Sequence, residues 1–288
     1  MRKTLVFLAR RDTPYQGSRF LRVAQLCRIV QELLPDLSVL ATTTAEDVSD
    51  AVVILNKSFL AAAAPQQVRR LRARGNAVLA DFVDLRPRAS LCRVVDGFLA
   101  SSYAQERFLR AAHADKPTFR VLHHADPRIE AGCADEAGAR VGYFGHVANG
   151  RYVKRLAAEG LCDRFFAGQP EDTQWMSRLS DYGVHYAIRA RRLFEGFKPF
   201  TKGAVAARCG AVVLVGRDEE SVANLGPDYP FFAASTAYRD VRAAIVRMRE
   251  SHGGSDWRAA QEAMRRLERE CSPERIAQGL SEALAAFS

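Results

Sequence analysis

Short, continuously apolar runs recur along the chain from one end to the other. Residues 4–9, 38–41, 51–55, 77–82, 97–100 and 119–122 are each too short for a helix and show no polar alternation, which predicts strands buried on both faces. Between them lie stretches with apolar residues at helical spacing, clearest over 18–34, 65–74 and 103–112. Alternation of this kind predicts right-handed crossover units and a parallel sheet covered by helices on both sides.

The pattern breaks after residue 124. Small, acidic and turn residues without a hydrophobic period follow, and an interdomain linker is expected over 126–139. The alternation then restarts, with strands predicted at 141–144, 164–167, 184–188, 211–215 and 231–233. Helices are predicted at 152–159, 173–179 and through the early 200s. Two long helical patterns, 237–250 and 257–270, close this half, and Pro273 opens a last helix running to about Phe287. Ile276, Leu280, Leu284 and Phe287 form one stripe on that helix, so residues 273–288 are expected to face a core: that of the first domain, since the second domain's sheet already has its helices, or that of their own domain. The predicted fold is α/β: two doubly wound, Rossmann-like domains facing a cleft, residues 1–125 and 140–272. Ligands of such sheets bind beyond the carboxyl ends of the strands, so the loops after each strand are where chemistry is sought.

Composition narrows the function classes. A chain of 288 residues is long enough for two domains with separate cores. No apolar run approaches the roughly 20 residues that span a bilayer, and the apolar core after Met1-Arg2-Lys3 is too short for a signal peptide. A cytoplasmic location is expected, with the inner face of the membrane as its variant. The formal charge of +9 is spread over many helices without aromatic–basic interleaving or a recognition motif. That disfavours nucleic acid and favours anionic ligands or an anionic membrane face. Cys27, Cys92, Cys133, Cys162, Cys209 and Cys271 form no C-x-x-C pair, so neither a zinc site nor a redox motif is expected, and most read as small buried hydrophobes.

The richest stretch is Glu195-Gly196-Phe197-Lys198-Pro199-Phe200-Thr201-Lys202-Gly203, leading through a helix and Gly210 into the apolar run from Ala211. It reads as a loop, a helix opened by Pro199 and Thr201, a glycine stop and a buried strand. Thr201 would satisfy an unpaired backbone donor, while Lys198 and Lys202 add charge to an end already positive by its dipole. A diphosphate site fits that arrangement; an ordinary helix start with solvated lysines fits it too. Lysine usage favours the site: the chain has only Lys3, Lys57, Lys116, Lys154, Lys198 and Lys202, and two of these lie within five residues.

Other candidates stand at strand ends. Asp12 and Gly17 lie in the loop after the first strand, where Asp12 is a candidate base or part of a solvated turn. Asn56, Lys57 and Ser58 follow the third strand, Asp81 and Asp84 the fourth. His123 and His124 follow the last strand of the first half, as base or hydroxyl ligand or as a satisfied structural pair. In the second half, Tyr143, Gly145, His146, Asn149 and Gly150 form a glycine-flanked turn that could admit a phosphate or sugar to backbone N–H groups. Arg189 ends a strand and could reach the same diphosphate as the lysines. No G-x-G-x-x-G, Walker A or G-x-S-x-G pattern occurs. No ligand set stands at metal spacing, so no metal is expected.

The chain resembles the GT-B class of nucleotide-sugar glycosyltransferases, best over about residues 140–235. Glu195-Gly196-Phe197, the loop and helix from Lys198 to Arg208, and Cys209-Gly210-Ala211-Val212-Val213 resemble that family's Glu-Gly-Phe…Ala-x-Gly-x-Pro-Val-Val segment. Gly145 sits where such enzymes turn on a glycine after the first strand of the donor domain. The resemblance implies metal-independent transfer of a sugar from a nucleotide-activated donor to a hydroxyl of a glycan, lipid-linked glycan or other acceptor, with the nucleotide sugar as substrate and no separate cofactor. It implies that Glu195 binds donor hydroxyls and that Lys198, Thr201, Lys202, Arg189, Gly145, His146 and Asn149 hold donor and phosphates. One departure matters: where retaining members often carry a second glutamate, this chain has Gly203. A non-catalytic sugar-binding or partner subunit and a nucleotide-sugar epimerase of the same class are the competing readings.

Overall fold

The computed structural model describes residues 4–12, 16–134, 136–167, 171–190 and 196–287. The chain divides into two compact units. Unit 1 comprises Met1–His124, Glu195–Pro199 and Ser272–Ser288; unit 2 comprises Ala125–Phe194 and Phe200–Cys271.

Unit 1 begins with β1 (Thr4–Leu8), α1 (Gln16–Arg19), a π-helical turn at Phe20–Ala24, α2 (Gln25–Leu33), β2 (Val39–Thr42) and β3 (Ala51–Asn56). It continues through α3 (Lys57–Leu60), α4 (Pro65–Arg72), β4 (Ala77–Asp81), α5 (Ala89–Cys92), β5 (Gly97–Ala100), α6 (Tyr103–Ala112) and β6 (Thr118–Arg120). Unit 2 holds β7 (Val141–Phe144), α7 (Val153–Ala158), β8 (Asp163–Phe165), β9 (Val184–Tyr186), α8 (Thr201–Cys209), β10 (Val212–Gly216), α9 (Glu219–Leu225), β11 (Phe232–Ala233), α10 (Tyr238–Glu250) and α11 (Ser255–Glu270). The last helix, α12 (Pro273–Ala285), belongs to unit 1.

Every strand pairing is parallel. The unit 1 sheet runs β2-β1-β3-β4-β5-β6 and the unit 2 sheet β11-β10-β9-β7-β8. Alternate residues of the unit 1 strands feed two separate cores, because side chains of a strand point to opposite faces. Val6, Val53, Leu55, Val78 and Ala80 pack with Val68 and Leu71 of α4 and Leu109 of α6. Leu5, Phe7, Val52, Ile54 and Leu79 pack with Leu26, Ile29 and Val30 of α2 and with Ile276, Leu280 and Leu284 of α12. Each Val, Leu, Ile or Phe side chain among these contributes about 1.5–3 kcal/mol through burial. Gly279 lets α12 lie against β6, since a Cβ there would stand 2.8 Å from the Arg120 carbonyl.

Several elements differ from the sequence reading. The stretch 18–34 is not one regular helix: the π-helical turn inserts an extra residue per turn and swings Arg22 inward, where it is fully buried. β6 stops at Arg120 rather than reaching Leu122, and the carbonyls of Val121 and Leu122 accept from Arg22 Nη1 at 2.8 and 3.1 Å. The helix expected at 173–179 is a 3₁₀ segment, Met176–Asp181. α9 was not expected, although Asp218 caps it by accepting from Ser221 N at 2.8 Å. The stretch 126–138 lies in unit 2 and is tied to α8, with Gly132 N donating to Arg208 O and Ala134 N to Cys209 O at 2.9 and 2.8 Å.

Candidate functional site

In unit 2 the end of β7 is built around a lysine that arrives from α8. Lys202 Nζ donates to the Phe144 carbonyl and lies 4.2 Å from the centre of the Tyr143 ring. Gly145 follows with φ +148°, and a Cβ there would stand 2.6 Å from that ammonium. Gly145 is therefore doubly required: by its backbone angle and by the space the lysine occupies. Tyr143, itself buried, donates its hydroxyl to the His146 carbonyl at 2.7 Å and fixes the turn.

The turn continues through a 3₁₀ segment, Val147–Asn149, onto the segment after β9. Ala190 N donates to Asn149 O at 3.1 Å, Arg151 N to Ile188 O at 3.0 Å, and Gly150 and Arg189 form an antiparallel bridge. These bonds bring Asn149 and Arg189 to one place, with both side chains half-exposed and His146 exposed beside the outward ring of Phe166. Beneath the turn, His185 of β9 is buried against Phe144, ring centres 4.9 Å apart. Burial first, and the Lys202 charge second, push its pKa down to about 3, so it is neutral at pH 7.

At the start of α8 the structure corrects the sequence reading. The N-cap is Phe200 and carries no side-chain cap; Thr201 is the first helical residue, so its hydroxyl does not cap the helix. Pro199 precedes the helix. The Phe200 ring fills the space a Cβ at Gly203 would need. That contact explains glycine at this position and leaves no room for an acidic side chain without moving the ring. Lys198 is half-buried and belongs to unit 1, whereas Lys202 belongs to unit 2, so the two lysines are parts of different units. Next to Lys198, the Phe197 ring lies 5.0 Å from Phe108 and its carbonyl accepts from Ser102 Oγ at 3.1 Å. Glu195 lies outside the described residues.

The strand ends of unit 1 hold a different kind of site. Asn56 and Asp81 are register partners on β3 and β4, hence on one face of the sheet. Arg22 Nε donates to Asp81 Oδ2 at 2.8 Å in a pair that is 0% exposed on both sides. The same guanidinium holds Val121 and Leu122, the two residues before His123. Burial raises the Asp81 pKa, with Arg22 opposing that shift. His123 and His124 are both buried; Gln25 Oε1 lies 2.9 Å from His124 Nε2. Burial, then the Arg22 charge, pulls the His123 pKa well below its ordinary value. Asn56 Nδ2, Arg22 Nη2 and His123 Nδ1 have no hydrogen-bond partner among the described residues.

Around this cluster, Asn56 Oδ1 caps α3 by accepting from Ser58 N at 2.9 Å, and Ser58 Oγ accepts from Arg10 N at 3.0 Å. Lys57 pairs with Asp84. Between Asp81 and Asp84, Val83 adopts φ +59°, a strained angle for a β-branched residue, and its carbonyl accepts from Gln105 Nε2 and Ser101 Oγ. Asp12 is exposed in the loop after β1.

No protein-family model matches the sequence, and no curated protein matches it. Solved structures do match. HepE from Anabaena, crystallised with UDP, aligns over 98% of this chain and all of its own, with a TM-score of 0.67 at 13% identity. A glycosyltransferase from Rickettsia africae aligns over 100% and 99% at TM-score 0.64 and 10% identity. The trehalose-6-phosphate protein of E. coli, bound with UDP-2-fluoro glucose, aligns over 98% and 99% at TM-score 0.61 and 10% identity. The fold is that of the GT-B glycosyltransferases.

Within that GT-B fold, unit 2 brings Asn149 and Arg189 together through backbone bonds and places Lys202 against Gly145. His123 and His124 stand in unit 1 next to Arg22, which the sequence reading missed. A lone arginine in an amphipathic stretch reads as solvated, and its partner Asp81 is 59 positions away. Asp81 itself was visible as a strand-end carboxylate; nothing local announced its partner.

Proposed function

We propose that this protein is a glycosyltransferase that moves a sugar from a nucleotide-activated donor to a hydroxyl of a glycan or lipid-linked acceptor. The observation that carries the reading is Lys202, set against a glycine-opened strand end, in a fold whose solved examples include proteins bound to UDP or a UDP-sugar. Lys202, Arg189 and the N-terminal turn of α8 would meet the charge that develops on the departing diphosphate. The reading therefore assigns that role to protein cations rather than to a metal ion. Gly145, His146 and Asn149 would contact phosphate and sugar, with Thr201 offering its hydroxyl from the first turn of α8. The resemblance adds Lys198 and Glu195 as donor-binding candidates, Glu195 toward donor hydroxyls.

Unit 1 would supply the acceptor side. His123, His124 and Asp12 are the candidates for holding the acceptor hydroxyl and taking its proton. Their surroundings differ: Asp12 is exposed, His123 is held neutral, and His124 is joined to Gln25. Contact with an anionic membrane face is part of the proposal for a lipid-linked acceptor, and the exposed Arg69, Arg70 and Arg72 of α4 support it. No helix among the described residues is long and apolar enough to cross a membrane.

A second reading, a subunit that binds the donor without turnover, draws on Gly203. The Phe200 ring occupies the place where the resembling retaining enzymes often carry a glutamate. Incubation with UDP-glucose and other UDP-sugars separates the two. An enzyme releases UDP, slowly by hydrolysis and faster when an acceptor glycan is added; a binding subunit raises the unfolding temperature with the same donors but releases none. A change of sugar configuration without release would indicate an epimerase.

A further inference from the structure

Cys133 and Cys209 stand apart from the other cysteines in both position and surroundings. Cys209 ends α8 and is buried, whereas Cys133 is half-exposed in the turn after Gly132, whose φ is +68°. Two backbone bonds hold that turn on the end of the helix, one on each side of Cys133: Gly132 N to Arg208 O at 2.9 Å and Ala134 N to Cys209 O at 2.8 Å. The two thiols are in hydrogen-bonding contact. Neither is in a disulfide. Both residues belong to unit 2.

We propose that Cys133 and Cys209 are a thiol pair that a low-molecular-weight disulfide converts to a disulfide bridge, stapling residues 132–134 to the C-terminal end of α8. The chemistry has an order. Cys209 is buried and Cys133 is half-exposed, so Cys133 is the sulfur that a dissolved disulfide can reach. Its thiolate attacks one sulfur of glutathione disulfide, the old S–S bond breaks, and one glutathione leaves as thiolate. Cys209 then loses its proton and attacks Cys133 Sγ in the mixed disulfide, expelling the second glutathione. Two protein thiols are oxidised, one glutathione disulfide is reduced, and the two protons end on the two glutathione molecules released.

The remaining cysteines lack these conditions. Cys27, Cys162 and Cys271 are buried and their thiols are pushed up to about 12, and Cys92 to about 11, chiefly by burial. Oxidation should therefore be selective. Because α8 carries Lys202 in its first turn, the bridge anchors the far end of the helix that builds the candidate donor site.

The test is to incubate the purified protein with glutathione disulfide, alkylate the thiols that remain, and map peptides without reduction. The expected product is a Cys133–Cys209 peptide pair two hydrogens lighter than its separate members, with the other four cysteines alkylated. The unfolding temperature should rise by about 5 °C and return on reduction. Cys209→Ser should stop the reaction at a glutathione adduct on Cys133. A stable adduct on Cys133 in the unsubstituted protein, or bridges formed equally among other cysteines, would overturn the proposal. The unsubstituted protein decides alone, so poor folding of a variant does not shield the idea.

Discussion

The strand ends of the two units treat polar side chains in opposite ways. In unit 1, Arg22, Asn56 and Asp81 are sealed from solvent, and one guanidinium is shared between a carboxylate and two carbonyls. In unit 2, His146, Asn149 and Arg189 remain accessible; beneath them Tyr143 donates its hydroxyl to a carbonyl and the buried His185 is neutral. A charge taken wholly out of water has given up most of its capacity to bind a mobile ligand; what it retains is the power to fix the backbone around it. A cation held beside glycine backbone at a strand end can still meet an arriving anion. Unit 1 thus shows a braced scaffold around His123, and unit 2 an accessible strand end, the one proposed to meet the diphosphate.

The brace gives the largest expected effect. Arg22→Met leaves the Asp81 carboxylate buried without its partner and should cost about 3–5 kcal/mol in urea unfolding. Adding Asp81→Asn to that variant should recover part of the loss, because the uncompensated charge is gone. A loss below about 1 kcal/mol in the single variant would mean that water reaches the pair and that unit 1 is not sealed.

His185 sharpens the contrast from the other side. Its folded pKa is about 3, below the ordinary 6.5, so the unfolded chain takes up the proton first. The stability it contributes is present above pH 6.5 and is lost as pH falls toward 3, by a few kcal/mol in all. His185→Phe keeps a ring against Phe144 and should flatten that part of the pH profile. His123, also held neutral by burial, adds an acid dependence of the same sign in unit 1 that the variant leaves in place.

Gly145 should be less forgiving than its size suggests. Gly145→Ala meets Lys202 at 2.6 Å on a backbone at φ +148°, and should cost about 1–3 kcal/mol along with UDP affinity. Gly17→Ala in unit 1, with no atom within 4 Å, should change neither. The smallest effect belongs to α4. Arg69→Glu with Arg70→Glu should weaken binding to vesicles containing anionic lipid by about 1 kcal/mol per arginine removed, with UDP affinity unchanged. Equal binding by the variant would remove α4 from the membrane proposal.

The sequence made the fold legible because buried parallel strands read as continuous apolar runs, and all strands from β1 to β11 lie at or within two residues of where those runs fall. Errors gathered where long-range contacts overrule local pattern. The π-helical turn that buries Arg22 serves Asp81, and β6 ends early because Arg22 takes the carbonyls of Val121 and Leu122. The site was legible in part. Gly145 was visible as a turn glycine, but its reason, Lys202, comes from another element. Thr201 looked like a cap because a hydroxyl beside a proline usually is one; the helix instead starts on Thr201 itself, with Phe200 turned over Gly203.

The end of β7, with Lys202 against Gly145, is proposed to bind a nucleoside diphosphate. Calorimetric titration of UDP into the protein and into Lys202→Ala decides the matter. Saturable binding is expected, weakening roughly ten- to hundred-fold in the variant through the loss of one charge-assisted contact, while the unfolding temperature without UDP stays close to that of the parent. Equal UDP affinity in the two proteins would contradict it.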